Sequence, residues 1–327
     1  MNFLATDQPW FLFRHPLVRE LAFCIASPPL LAHWPASLAH HANQFISAQD
    51  IVLPDYQFWQ QQFVNYLPRL QQLDTHPQQL EQHISSLRSR RLGIRFEHLL
   101  AFWLQDNTYH PFTLLGQGIK RMDGQRTVGE IDFLILNQDT QKIEHWEVAI
   151  KFYLGESHLN PEHWLGANRR DSLDRKLNHI CLHQFHVTHT DEHAIDVRRA
   201  IIKGRLYYPV GRPIHEPNWA TPEHLTGFWG YRVPPAPKGF IWRYASRQEW
   251  MVAIADCRPL SSPTDVADTI YPVYWRDGLY LLLDPENKVV LHYMLRIIDK
   301  SHQYINLDNT LKPNLNAVDI FNQISII

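Results

Sequence analysis

The sequence predicts an α/β protein. A helix, three strands, a second helix and a fourth strand build a mixed four-stranded sheet, with a helical region before it and an α+β extension after it. Three features point there. Apolar residues recur at helical spacing up to about Leu104 and alternate thereafter. The segments TVGEIDFLIL (127–136) and IEHWEVAIKFYL (143–154) are rich in β-branched and aromatic residues, and polar NQDTQK between them is short enough for a hairpin. A capped helical segment then precedes the strand in KGRLYYP, and a parallel strand needs such a crossover, which is right-handed.

Taken in order, Val18, Leu21, Ala22 and Ile25 mark a helix stopped by Pro28-Pro29. Phe58, Phe63, Tyr66, Leu67 and Leu70 mark another over 56–73. A polar bridge, His76 to Gln82, leads to a helix from about Ile84 to Leu104, and 112–119 is the first strand. After the hairpin, Asp171 or Ser172 caps a helix running to about Phe185. Residues 204–208 form the fourth strand, ended by Pro209. The Pro- and Trp-rich stretch 215–238 reads as loop. A helix over 246–255 and strands over 271–283 and 289–297, joined by a turn at Asp284-Pro285-Glu286-Asn287, complete the chain and flank the sheet. The expected divisions are an N-terminal helical region (1–83), the core (84–210) and a C-terminal extension (211–327).

Composition bounds the function. With 45% hydrophobic and 20% charged residues in 327, the chain is globular, and disorder, collagen and a long coiled coil are excluded. Only 13 Gly against 22 Pro argues against a Gly-rich phosphate loop. The net charge of −2 means that a nucleic-acid partner requires local basic patches. Cys24, Cys181 and Cys257 form no CxxC pair, which favours a reducing compartment. The start has no basic segment before an apolar one, and no run is long and apolar enough to span a bilayer. The expected location is the cytoplasm, with no membrane partner.

Strand parity carries the chemistry. Successive strand side chains face opposite ways. Trp146, Val148, Ile150, Phe152 and Leu154 make an apolar wall, and His145, Glu147, Ala149, Lys151 and Tyr153 the other face. On the preceding strand Ile131, Phe133 and Ile135 oppose Glu130, Asp132, Leu134 and Leu136. If Asn137 pairs with Lys142, Asp132 lies opposite Glu147, with Cβ atoms ~5 Å apart. A shift of two instead sets Asp132 against Ala149 and Glu130 against Lys151. Two facing carboxylates repel unless a proton or cation lies between them. Carboxylate oxygens bind Mg²⁺, which polarises a phosphoryl oxygen and acidifies water, and a lysine positions that water. The plainer alternative is a half-exposed hairpin with a cross-strand salt bridge.

Two helices flank this stripe. In GIRFEHLL, Glu97 sits at the edge of the apolar stripe or within it, where a carboxylate needs a partner. In the later helix Ser172, Lys176, His179 and His183 form one side, and Leu173, Leu177, Ile180 and Cys181 the other. That polar side is either solvated or presents Lys176 to the carboxylates and to phosphate. HxxxH-like spacings such as His179/His183 are present, but no HExxH motif is.

This pattern resembles the PD-(D/E)XK nuclease superfamily through Glu97 in GIRFEHLL, Asp132 in VGEIDFLIL, and Glu147 and Lys151 in HWEVAIKFYL. More closely, GEIDFL, HWEVAIKFYL, DSLDRKLNHICLHQ, RHPLVRELAF, KGRLYYP and HLTGFW resemble an uncharacterised bacterial domain-of-unknown-function family (1853) placed in that superfamily. The resemblance implies a restriction-endonuclease-like core (αβββαβ) and a Mg²⁺- or Mn²⁺-dependent phosphodiesterase acting on DNA or RNA. It implies catalytic Lys151 and metal ligands Glu97, Asp132 and Glu147, and the polar helix face adds Lys176 as a further catalytic candidate. The usual Glu-x-Lys is stretched here to Glu147-Val-Ala-Ile-Lys151, so the two residues lie ~13 Å apart along the strand. Ala149 stands where an acid is usual, and Glu130 is the candidate replacement. Four basic clusters are candidates to line a groove: Arg88/Arg90/Arg91/Arg95, Lys120/Arg121/Arg126, Arg169/Arg170/Arg175/Lys176 and Arg198/Arg199/Lys203/Arg205. The competing expectation is a non-catalytic nucleic-acid- or protein-binding member of the same fold.

Overall fold

The computed structural model describes residues 8–35, 38, 50–89, 91–123, 126–156, 160–190, 192–212, 214–253 and 277–296. Helices α1 (Pro16–Ala26), α2 (Tyr56–Thr75), α3 (Gln78–Ser85) and α4 (Leu92–Gln105) precede most of the sheet, and α5 (Leu173–His179) lies within it in chain order. The strands are β1 (Ile51–Val52), β2 (Phe112–Asp123), β3 (Arg126–Asn137), β4 (Lys142–Gly155), β5 (Trp164–Gly166), β6 (Val197–Pro209), β7 (Thr226–Gly230), β8 (Ile241–Tyr244), β9 (Gly278–Leu283) and β10 (Val289–Leu295). They form one mixed sheet in the order β2-β3-β4-β6-β7-β10-β9-β8, with β1 beside β6 and β5 beside β4.

The four expected strands are the first four of that order. The β3–β4 hairpin pairs Asn137 with Lys142, the register read from the turn. β4 and β6 are parallel, joined through α5. Parity on β4 holds as well. Trp146, Val148, Ile150, Phe152 and Leu154 pack with α1 to α4, whereas Ala149 and Tyr153 pack with Leu173, Leu177, Ile180 and Cys181 on the opposite face. On β3 one residue departs: Ile131 joins Leu134, Val187 and Ile195 rather than Phe133 and Ile135.

Several expectations are corrected. The polar bridge carries α3, whose Leu80 and Ile84 are buried while its other residues face outward, so a single turn-and-a-half of apolar contact sufficed. The helix expected from Ile84 is broken, with α4 starting at Leu92. The stretch read as loop contains β7, pinned between β6 and β10 by backbone pairing that Pro and Trp on either side disguised. The expected helix after Ser246 is a 3₁₀ turn, Arg247–Trp250, held by a capping box between Ser246 and Glu249. β9 and β10 do not merely flank the sheet but belong to it, joined by a turn with Asn287 at positive φ. Residues 251–253 of the helix expected over 246–255 are not helical, and residues 254–255, the start of the strand over 271–283, the end of that over 289–297, Arg90 and Cys257 lie outside the described residues. No helix among the described residues is long and apolar enough to cross a membrane.

Candidate functional site

The site lies where the edge of β4 changes partners. The β3 ladder ends at the Phe133–Trp146 pair, and the β5 ladder begins at Tyr153–Gly166. Between them, residues 147–152 have no ladder partner on that side. β3 peels away while staying paired to β2. Into the gap Asp132 sends its carboxylate, whose Oδ2 accepts the Val148 N–H at 2.9 Å in place of a backbone carbonyl. The hairpin register therefore puts Asp132 against Glu147 at the mouth of the gap.

Glu147 is fully buried. His145 Nε2 lies 2.7 Å from Glu147 Oε1, and Gln184 Nε2 donates to Oε2. Burial first, then the Glu147 charge, raises Asp132 to about 7. Burial likewise raises Glu147 to about 8, against the pull of Lys176. The hydrogen bond between the two carboxyls stabilises whichever is ionised and holds the proton on the other, so the pair titrates as a unit. Burial drops His145 to about 3, so the imidazole is neutral and its contact with Glu147 is a hydrogen bond rather than an ion pair. Its Nδ1 is buried without a partner.

Lys176 supplies the positive charge. Its Nζ donates to Gln184 Oε1 at 3.1 Å, so Gln184 bridges it to Glu147. Burial lowers Lys176 and the nearby Lys151 adds to this, while Glu147 and Asp132 act in the other direction. Lys151, the lysine of the stretched motif, is turned to Asp171 at 2.6 Å. Gly204 of β6 stands beside it at φ 135°, and any Cβ there collides with the Lys151 carbonyl oxygen. The close β4–β6 approach that sets Lys151 therefore requires glycine.

Two of these residues escaped the sequence reading. Asp171 was a candidate helix cap, but Ser172 does the capping, accepting the Arg175 N–H. That leaves Asp171 for Lys151. Gln184 lies eight positions beyond Lys176, about 80° round an α-helix. The π turn Ile180–Gln184 turns less per residue and brings it back onto the face of Lys176. π turns concentrate at functional sites, but the sequence carries no clear sign of this one.

Other candidates are placed differently. Glu97 was expected from a helix on the same sheet face, but α4 packs on the opposite one, against Trp146. Glu97 accepts from Gln117 at 3.1 Å, and its carboxyl is raised by burial and, beyond that hydrogen bond, by the charges of Asp132 and Glu130. Glu130 is exposed and sits across from Lys120 on β2. Among the described residues no three His, Cys, Asp or Glu side chains gather into a group able to hold an ion. The cluster on β6 is no phosphate groove. Lys203 and Arg205 are buried, Arg199 pairs with Glu144, and Arg198 donates to the Phe185 and Val187 carbonyls. Arg95 likewise pairs with Glu20. Arg169, Arg170 and Arg175 remain exposed beside Asp171.

The family model described as Domain of unknown function (DUF1853) matches residues 19–272. The chain belongs to the DUF1853 family. The matched span takes in α4, the β3–β4 gap, α5 and β6, so every residue of the site in this DUF1853 chain falls inside it. No curated protein and no solved structure matches the chain.

Proposed function

We propose that this DUF1853 chain is a divalent-metal-dependent phosphodiesterase acting on nucleic acid, built on a core of the PD-(D/E)XK, restriction-endonuclease-like kind. One observation carries the reading: the half-buried Asp132 lies beside the buried Glu147 at a split sheet edge, next to Lys176. A carboxylate pair that holds a proton near neutral pH is a place where a cation can replace that proton. The donor set suits Mg²⁺ or Mn²⁺, which need only one or two carboxylates and retain water. Asp132 and Glu147 would hold the ion, which supplies polarisation of a phosphoryl oxygen and a more acidic water.

The chain's own residues supply the rest. His145 and Gln184 fix the Glu147 carboxylate, and the Val148 N–H fixes Asp132. Lys176, lowered by burial and set beside the two carboxyls, is a candidate to orient a bound water or exchange a proton with it. Lys151 braces the turn through Asp171 and neutralises charge at the open end of the gap. Glu97 and Glu130 add negative charge at the far side of β3.

The second reading, a non-catalytic member of the same fold, is favoured by a separate observation: each Glu147 oxygen already has a protein partner. Cleavage of a panel of DNA and RNA substrates with Mg²⁺ or Mn²⁺ separates the two. Cleavage that stops on chelation and falls at least about a thousandfold in Asp132→Asn, the scale of losing ~4 kcal/mol of transition-state stabilisation, supports the enzyme. Absence of cleavage, with equal shifts of melting temperature by the ion in wild type and Asp132→Ala/Glu147→Ala, supports the binding scaffold.

A further inference from the structure

β4, β6, β7 and β10 run parallel to one another, so their carboxyl ends lie along one edge. Crevices outside such ends are where open α/β sheets take ligands. Here Glu156 follows β4, Arg212 follows β6 through Gly211 at φ 80°, Tyr231 follows β7 and Arg296 follows β10. Arg296 donates its backbone N–H to the Gly230 carbonyl at 3.0 Å, which ties it beside Tyr231. Arg169 reaches in from the turn after β5. Its Nη2 lies 3.9 Å from Glu156 Oε1, and Arg296 Nη1 lies 3.7 Å from the same oxygen. Arg169, Arg296 and Arg212 all act electrostatically on the Tyr231 hydroxyl.

Arg296 is under-satisfied. One Glu156 carboxylate oxygen faces both Arg169 and Arg296, and neither is within hydrogen-bonding distance. Arg296 is 7% exposed, yet Nη1 and Nη2 are both buried without a hydrogen-bond partner among the described residues. A desolvated guanidinium edge without acceptors is costly, and two oxygens of one phosphate would meet it as a fork. Among the described residues, Asp277, itself exposed, is the other acid acting on Arg296.

The same turn serves both places. Residues 167–171 carry Asp171 to Lys151 and Arg169 to Glu156. Glu147 and Glu156 are nine positions apart on and just past β4, ~30 Å at strand rise. That is about nine steps of a nucleic-acid strand at ~3.4 Å along the helix axis.

We propose that Arg169, Arg212 and Arg296, grouped round Tyr231 at the carboxyl ends of the parallel strands, bind a backbone phosphate of the nucleic-acid strand about nine steps from the one at Asp132 and Glu147. The proposal rests on the nucleic-acid reading above. The site holds the strand in place without taking part in the chemistry.

The test is fluorescence anisotropy of short labelled single-stranded DNA and RNA oligonucleotides, in EDTA so that no cleavage intervenes, over a range of salt. Arg169→Gln/Arg212→Gln alters two side chains outside the core. It should weaken binding about tenfold at low salt and flatten the logarithmic salt dependence by about 1 to 2. Arg296→Lys, which keeps the charge but loses the fork, should weaken binding less, with unchanged melting temperature as the folding control. Wild-type affinity and salt slope in the double variant, or no binding of either strand by the wild type, overturns the site. Arginine-dependent binding without any cleavage overturns the catalytic reading and leaves this site standing. Cleavage with arginine-independent binding does the reverse.

Discussion

One face of β4 and β6 gathers two carboxyls, and the other gathers three basic side chains, one of them paired with the buried Glu144. The acidic face holds Asp132 and Glu147. The basic face carries Arg199, Lys203 and Arg205 on alternate positions of β6, beneath the helical layer. Arg199 reaches both oxygens of Glu144, which Asn137 and Trp146 also hold. Burial pushes the Glu144 carboxyl up, but these bonds outweigh it and bring it below the ordinary range. Lys203 donates to the Ile25 and Ser27 carbonyls at 2.9 and 2.8 Å and sits 3.6 Å from the centre of the Trp59 ring. Those partners are fixed parts of the fold. Burial draws Lys203 well below the ordinary lysine range. The acidic pair is held by His145, Gln184 and the Val148 N–H, but its nearby cation is Lys176, and it keeps a shared proton. Charge satisfied by fixed partners reads as structure, and charge that still needs a mobile cation reads as a site.

Gly204 joins the two faces, since it sits between Lys203 and Arg205 and against Lys151. Gly204→Ala should cost more than about 4 kcal/mol, measured as the shift in urea midpoint multiplied by the slope, because positive φ and a backbone collision act together. A loss under about 1 kcal/mol would mean that the strands can separate there, and the comparison of faces would lose its hinge.

Lys203→Met should lower stability by about 2 kcal/mol, since it leaves two buried carbonyls without a donor while keeping the side chain's bulk. The response of the melting temperature to Mg²⁺ should be unchanged. If that response disappears with Lys203, the basic face takes part in the site and the division into structure and site fails.

The pH dependence sharpens the same contrast. Asp132 and Glu147 are raised in the folded chain, so folding takes up protons above the ordinary carboxylate range. Their contribution to stability is complete below about pH 4 and is lost as pH rises through about 7 and about 8. Thermal melts across that window should show wild type losing stability relative to Asp132→Asn/Glu147→Gln. Lys176→Met should move the loss to higher pH, because it removes the cation that opposes protonation of Glu147. Lys151→Ala, whose ion pair with Asp171 is partly exposed, should change stability by less than about 1 kcal/mol. A profile that is flat in wild type would remove the shared proton from the account.

Local pattern determined a good deal of this protein. Alternation defined β3 and β4, the polar turn set their register, and the register alone put Asp132 against Glu147, because a strand's side-chain period allows few alternatives. Helical spacing likewise found α1, α2 and α4 and the buried side of α5. What the tertiary structure decided was where each charge finds its partner. β6 read as a short strand, since four basic residues interrupt its apolar run, yet it extends from Val197 to Pro209. Those residues are buried against Glu144, backbone carbonyls and an indole ring far away in the chain. Glu97 arrives from the other face, Lys151 turns to Asp171, and the π turn delivers Gln184 to Glu147. Periodicity follows from the backbone geometry of a few consecutive residues. Neutralising a buried charge depends on distance in space, and the sequence order does not contain that distance.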